Sequence, residues 1–168
     1  PEDVATALMG AGSEEERLAG ATFPGLYAIL ARIHMEKFGT TQEDMAAVAV
    51  KNHYHASLNP NAQFHNHLTI DQVMKSSKIA DPLKLFDCSP ISDGAAAVVV
   101  TGKRKKENGK MIEILASCVA TDTLGLAQRE SLIELKATKD AAQKAYQLAG
   151  VGPKDIQLIE VHDCFTIA

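Results

Sequence analysis

A chain of 168 residues, of which 46% are hydrophobic, is long enough to build the core of an ordinary domain. Its net charge of −4 at pH 7 gives no general attraction to nucleic acid or to an anionic membrane, so neither is expected as a partner. No stretch approaches the roughly 18 apolar residues that span a bilayer, and the opening residues, PEDVATALMG, lack the pattern of a signal peptide.

The first half of the chain is predicted to be mainly helical. A helix is expected between Thr22 and Gly39, where apolar residues recur at near-helical spacing, namely Leu26, Tyr27, Leu30, Ile33 and Phe38. Gly39 stands where the C-terminal cap of this helix would fall.

Two later helices are predicted from capping boxes, in which a Thr and a residue three positions on satisfy each other's backbone groups. The letters TTQE place Thr40 and Glu43 in these roles, ahead of DMAAVAVKNHYHAS. The letters TIDQ repeat the pattern with Thr69 and Gln72 and begin a short helix through Met74.

The segment LNPNAQFHNHL between these helices is polar and rich in turn formers, so it is predicted to be an exposed loop. Two histidine pairs, His53-x-His55 and His65-x-His67, lie in and beside it. Paired imidazoles can share a zinc or iron ion, but no carboxylate or downstream ligand stands at a recognisable spacing. We therefore favour histidines that form hydrogen bonds or face solvent, and we expect no metal site.

The second half of the chain has a different pattern. The segment DGAAAVVVTG is predicted to be a buried strand, because a glycine turn precedes a short apolar run rich in β-branched residues, and MIEILASCVAT is a second strand candidate. The stretch TKDAAQKAYQLAGVGPKDIQLIEVHD predicts a helix, a glycine stop, a turn that begins with proline, and a strand. Such alternation favours an α/β fold with helices on the faces of a sheet. The basic run Lys103–Lys106 is predicted to be a solvated turn.

The three cysteines, Cys88, Cys118 and Cys164, are widely spaced and include no CxxC pair. This pattern disfavours a disulfide framework or a thiolate zinc site. It favours a reducing compartment, which we expect to be the cytoplasm. Each cysteine taken alone is typical of a small buried residue.

Two segments carry candidate chemistry. In open α/β sheets, ligands lie just beyond the carboxyl ends of strands, and His162 follows a predicted strand directly. A histidine there can donate to an oxyanion or act as acid or base, but a core histidine satisfied by the backbone remains the alternative. His162, Asp163 and Cys164 are no triad, because neighbours on an extended chain point to opposite faces. In DCSPISDG, the small residues around Ser89 form a tight turn that permits close approach of a ligand or simply close packing.

Taken in order, three segments resemble the thiolase superfamily, and within it the sterol-carrier-protein-x type and its acetyl-CoA acetyltransferase relatives. The segments are ARIHMEKFGTTQEDMAAVAVKNHYHASLNPNAQF, DCSPISDGAAAVVV and VGPKDIQLIEVHDCFT. The resemblance implies a five-layered α/β/α/β/α fold in which a helical loop domain covers coenzyme A. On that pattern, residues 1–82 are expected to be the loop domain with a preceding linker. Residues 83–108 are expected to be the last strand of the N-terminal half with a linker, and residues 111–168 the start of the C-terminal half.

The resemblance also implies roles for individual residues. The letters HDCF replace the NEAF motif of other thiolases, so His162 is similar in position to the catalytic Asn that helps form an oxyanion hole for the thioester enolate. Phe165 matches the aromatic residue of that motif, which is expected at the pocket wall. Ser89 matches a turn serine that contacts the pantetheine arm of coenzyme A. The substrate is then an acyl-CoA thioester, and no separate cofactor is expected.

The departures from the family pattern are equally specific. The nucleophilic Cys of the family lies upstream of the loop domain, and its GHP His and CxG Cys lie downstream of HDCF, so we expect this chain to be an internal fragment that is inactive alone. The parent is expected to be an acyltransferase, with a non-catalytic coenzyme A-binding or scaffold protein as the alternative. The resemblance further implies a homo-oligomer, either dimer or tetramer, with a multi-enzyme complex and a peroxisomal location in a eukaryote as open alternatives.

Overall fold

The computed structural model of the chain describes residues 2–102 and 112–168. The basic run Lys103–Lys106, predicted to be a turn, lies outside these residues. The helices are α1 (Glu2–Met9), α2 (Glu14–Leu18), α3 (Phe23–Phe38), α4 (Gln42–Ser57), α5 (Ile70–Lys75) and α6 (Lys136–Ala149), and the strands are β1 (Lys78–Ala80) and β2 (Leu83–Lys84). Short 3-10 helices cover Leu85–Asp87, Leu126–Gln128 and Pro153–Asp155. Among the described helices, none has the length and apolar character needed to cross a membrane.

Helix α3 confirms the helix predicted between Thr22 and Gly39. The Thr22 side chain accepts a hydrogen bond from the Gly25 backbone N–H at 3.2 Å, which satisfies one of the free donors at the helix start. Gly39 ends the helix with φ of 73°, a left-handed conformation that glycine adopts without steric cost.

Helix α4 starts one residue later than predicted. Thr41, not Thr40, is the cap: its N–H donates to Asp44 Oδ2 at 2.8 Å, and the Asp44 N–H donates to Thr41 Oγ1 at 3.1 Å. The Thr40 hydroxyl is instead paired with His34 Nδ1 of helix α3 at 2.8 Å, so it is engaged elsewhere. Helix α5 begins as predicted, with Thr69 and Gln72 in a capping box.

Two clusters of buried side chains hold the helical region together. The first joins helices α3 and α4 to β2 and to the end of the chain, through Ala28, Ala31, Met45, Leu83, Cys164 and Phe165. The second joins helices α4 and α5 through Ala46, Ala49 and Val73. Alanines on the facing helix surfaces allow close approach of the backbones, and burial of a side chain the size of Phe165 contributes about 2 kcal/mol. Residues close to the end of the sequence therefore belong to the core of the first half.

The strands β1 and β2 form an antiparallel hairpin with Lys78 opposite Lys84 and Ala80 opposite Leu83. This is the only sheet within residues 2–102 and 112–168. The sequence patterns did not predict it, because each strand is too short to show an alternation of apolar and polar residues. Leu83 is fully buried, so the hairpin lies directly on the first cluster.

The three segments predicted to be strands form no strand within residues 2–102 and 112–168. Val99 is 96% exposed, Ile112 is 94% exposed and Leu158 is 85% exposed. A strand is stable only when its backbone groups pair with neighbouring strands, and the sheet found within residues 2–102 and 112–168 contains only β1 and β2. The prediction was therefore wrong for this chain, whereas the helix between two of the segments, α6, was confirmed with Gly150 as its left-handed stop.

Candidate functional site

The two segments with candidate chemistry lie side by side. The Ser89 backbone N–H donates to the Cys164 carbonyl at 3.0 Å, and the Thr166 N–H donates to the Asp87 carbonyl at 3.0 Å. Cys88 and Phe165 form an isolated antiparallel bridge between these two hydrogen bonds. The turn DCSP and the motif HDCFT, which are far apart in sequence, are thus one short paired unit.

Asp87 links the two segments through its side chain, and sequence reasoning did not identify it. Asp87 is 4% exposed, and among the described residues it is the one charged residue that is buried. It accepts from the Lys84 N–H at 2.8 Å and from the Thr166 hydroxyl at 2.8 Å. The only signal in the sequence was its place at the head of DCSP, because its partner Thr166 lies 79 residues away.

Cys164 and Phe165 point into the core beneath this unit. Phe165 stacks on Tyr27 with ring centroids 4.2 Å apart. It also packs against Phe23, with ring centroids 5.8 Å apart. The Cys164 thiol donates to Tyr27 Oη at 3.2 Å, and burial raises the pKa of Tyr27 to about 12. Cys164 is therefore a packing residue, as predicted. Phe165 is absent from the described lining of the cavity next to His162, so its expected contact with substrate stays a prediction.

A cavity of about 410 Å³ opens between helix α4, the loop that follows it, and the paired unit. His162 and Asp163 line one side of this cavity, and Ser89 lines another. A neighbouring cavity of about 380 Å³ also includes Ser89, together with the aromatic side chains of Phe64 and Phe86. The structure thus places His162 and Ser89 on the wall of the same cavity. Ser89 also lines the neighbouring cavity.

Helix α4 contributes Asn52, a second residue that sequence reasoning missed. Its side-chain amide donates to Asp163 Oδ2 at 2.7 Å, and both residues are half-buried in the cavity wall. No sequence pattern indicated this pair, because the partners are 111 residues apart.

The first histidine pair lies in helix α4 and the second in the loop that follows it, and one histidine of each pair forms a hydrogen bond to a backbone carbonyl. The His53 ring pairs with the Asn66 carbonyl at 3.1 Å, and the His65 ring pairs with the Ala62 carbonyl at 2.9 Å. Tyr54 packs edge-on against His55 and His67. Within the part of the chain that the structure describes, no three His, Cys, Asp or Glu side chains are grouped so that they could hold a metal ion.

Cys88 lines both cavities, yet its environment opposes nucleophilic chemistry. Burial, and secondarily the charge of Asp87, raises the pKa of this thiol to about 11 from an ordinary value of 9.0.

The thiolate is the reactive form of a cysteine, so we expect Cys88 in the native protein to react with iodoacetamide only slowly at neutral pH. The rate should rise with pH toward a midpoint near 11, and peptide mass spectrometry can follow it. Cys88 in the urea-unfolded protein is the control, and a native midpoint at or below that of the control would contradict this expectation.

Comparison with known proteins gives a consistent result over both halves of the chain. Residues 14–104 match the family model of the thiolase N-terminal domain, and residues 118–168 match that of a thiolase C-terminal domain-like family. An acetyl-CoA acetyltransferase of Methanothermobacter thermautotrophicus is 46% identical over 168 residues, covering 98% of this chain and 44% of the relative. Sterol carrier protein 2 of Gallus gallus is 39% identical over 151 residues, covering 86% of this chain and 28% of that protein.

The backbone also matches a solved structure, named Ltp2-ChsH2(DUF35) aldolase, with a TM-score of 0.66 at 23% identity. The match covers 84% of this chain and 39% of that chain. At this identity the match concerns the fold alone. The chain spans less than half the length of each of these relatives.

Proposed function

This chain belongs to the thiolase family, and we propose that the intact protein that contains it is an acyl-CoA C-acyltransferase. It would act on coenzyme A thioesters, by Claisen condensation of two acyl groups or by thiolysis of a 3-oxoacyl group. The predicted α/β thiolase fold is confirmed by the family models and by the structural match, and this chain spans part of that fold.

The observation that carries the proposal is the shared cavity of His162 and Ser89. A thioester enolate places negative charge on its carbonyl oxygen, and a ring N–H donor that is already in position stabilises such charge without reorganisation. His162 is exposed toward the cavity and can supply that donor. Ser89 lies on the adjoining wall, where its exposed hydroxyl can contact the pantetheine arm.

We propose that the nucleophile comes from a part of the intact protein outside these 168 residues. Acyl transfer through a covalent intermediate requires an accessible thiolate. Cys164 is only 8% exposed in the core, and the pKa of Cys88 is raised to about 11. Neither residue is suited to carry the acyl group, and the third cysteine, Cys118, is not among the residues that line the cavity next to His162. The 168-residue chain alone should therefore be inactive.

The proposal is tested by incubating the intact protein with acetoacetyl-CoA and coenzyme A and measuring acetyl-CoA by chromatography. We expect acetyl-CoA to form with the intact protein and not with the 168-residue chain. Binding of coenzyme A to the intact protein without turnover would support the alternative, a non-catalytic coenzyme A-binding or scaffold protein. Absence of both binding and turnover would refute the proposed function.

We further propose that the intact protein is a dimer or tetramer, as its family resemblance implies. The fold neighbour has two components in its name, so a complex with a second protein is the other arrangement to test. Light scattering of the purified protein, alone and as isolated from its source, distinguishes these assemblies.

A further inference from the structure

One hydrogen bond joins the helical region to the residue that directly follows His162. Asn52 lies in the C-terminal half of helix α4. Its side-chain amide donates a hydrogen bond to the Asp163 carboxylate at 2.7 Å. Both residues are half-buried, and both line the cavity that His162 faces. A hydrogen bond to an ionised acceptor is short and about twice as strong as one between neutral groups.

The other contacts that hold the HDCFT motif are made by residues that follow Asp163 in the chain. Ser89 binds the Cys164 carbonyl, and Asp87 binds Thr166. On the other side of His162, residues 156–161 belong to no strand, and Val161 is 67% exposed. Asn52–Asp163 is therefore the described side-chain contact nearest to His162.

The His162 ring itself forms no hydrogen bond within residues 2–102 and 112–168. The backbone therefore sets the direction of the Cα–Cβ bond from which this ring projects. Since Asp163 is the next residue, fixing the Asp163 side chain restricts the rotation of the peptide unit between them. A displacement of about 1 Å in a group that contacts substrate can lower a rate by about a hundredfold.

We propose that Asn52 is a positioning residue, which holds Asp163 and thereby aims His162 into the cavity. This inference rests on the proposed function, since it concerns how the oxyanion donor is oriented. It assigns a role in turnover to a helix α4 residue that does not itself need to contact the reacting atoms.

The test is a reciprocal exchange in the intact protein. Asn52→Ala should lower kcat about tenfold, with the KM for coenzyme A within about twofold of the wild-type value. Asn52→Asp should lower kcat further, because it places two carboxylates against each other. The exchange Asn52→Asp with Asp163→Asn restores one donor and one acceptor, so it should recover kcat to within about threefold of wild type. Lys51→Ala, at an exposed position beside Asn52, is the control and should leave kcat unchanged.

A second readout does not depend on turnover. The 168-residue chain has six histidines, and in the intact protein the His162 ring resonance can be assigned by its loss in His162→Gln. We expect this resonance to shift and broaden in Asn52→Ala. In the exchange variant, we expect it to return to its wild-type position and width. If the wild-type protein shows no turnover, the proposed function fails, while the resonance still decides the positioning role.

Two results would overturn the inference. One is an Asn52→Ala variant with unchanged kcat and an unchanged His162 resonance. The other is an exchange variant that is no more active than Asn52→Asp although its unfolding temperature has returned to the wild-type value. The second result would show that the contact stabilises the fold without orienting His162.

Discussion

Replacement of His162 by alanine in the intact protein is expected to lower the condensation rate by at least about tenfold, with the affinity for coenzyme A little changed. The side chain faces the cavity and is exposed, so its loss should disturb packing very little. The donor would be needed mainly when charge develops on the thioester oxygen, which is why turnover should fall more than binding.

The comparison variant for this experiment is His55→Ala, an exposed histidine of helix α4 that does not line the described cavity. It should retain wild-type kcat and coenzyme A affinity. Initial rates with acetyl-CoA and direct titration with coenzyme A give the two quantities. An equal loss of affinity and rate in His162→Ala would argue that this histidine has a structural role instead.

Replacement of Asp87 by alanine should be the most destabilising of the substitutions considered. The carboxylate is 4% exposed and accepts from the Lys84 N–H and the Thr166 hydroxyl. Its removal leaves both donors without their acceptor at a buried position, and each such loss costs about 1–3 kcal/mol. We expect the free energy of unfolding of the intact protein to fall by about 3 kcal/mol in urea titrations.

Asp71→Ala is the matched control for this measurement. Asp71 lies in helix α5, its side chain is 69% exposed, and it forms an ion pair with Lys75 one turn away. An exposed pair of this kind contributes at most about 0.5 kcal/mol. If Asp87→Ala were no more destabilising than Asp71→Ala, the link between the DCSP turn and the HDCFT motif would carry little of the stability proposed for it.

Local signals predicted helices α3, α4, α5 and α6, whereas helices α1 and α2 were not individually predicted. Helix α3 needs only Thr22, its apolar face and Gly39, all of which are contiguous in sequence. The cap of helix α4 was displaced by one residue because the Thr40 hydroxyl pairs with His34, a contact that spacing alone does not reveal. The predicted strands failed for a different reason, since a strand depends on neighbouring strands that can lie anywhere in a chain, and the described sheet contains only β1 and β2.

The candidate site was predictable in part. The resemblance to thiolases selected His162 and Ser89, and the structure places both on one cavity. Asn52 and Asp87 were missed because each has a partner distant in sequence, at separations of 111 and 79 residues. An isolated Asn on a helix or an isolated Asp before a turn has no periodicity or motif that distinguishes it from a solvent-facing residue.

The most direct test of the proposed site is a crystal structure of the intact protein with coenzyme A bound. We predict that the pantetheine arm will lie in the cavity between helix α4 and the HDCFT motif, within hydrogen-bonding distance of Ser89. The sulfur end should approach His162. Coenzyme A bound outside this cavity, with neither Ser89 nor His162 in contact, would contradict the assignment of the site.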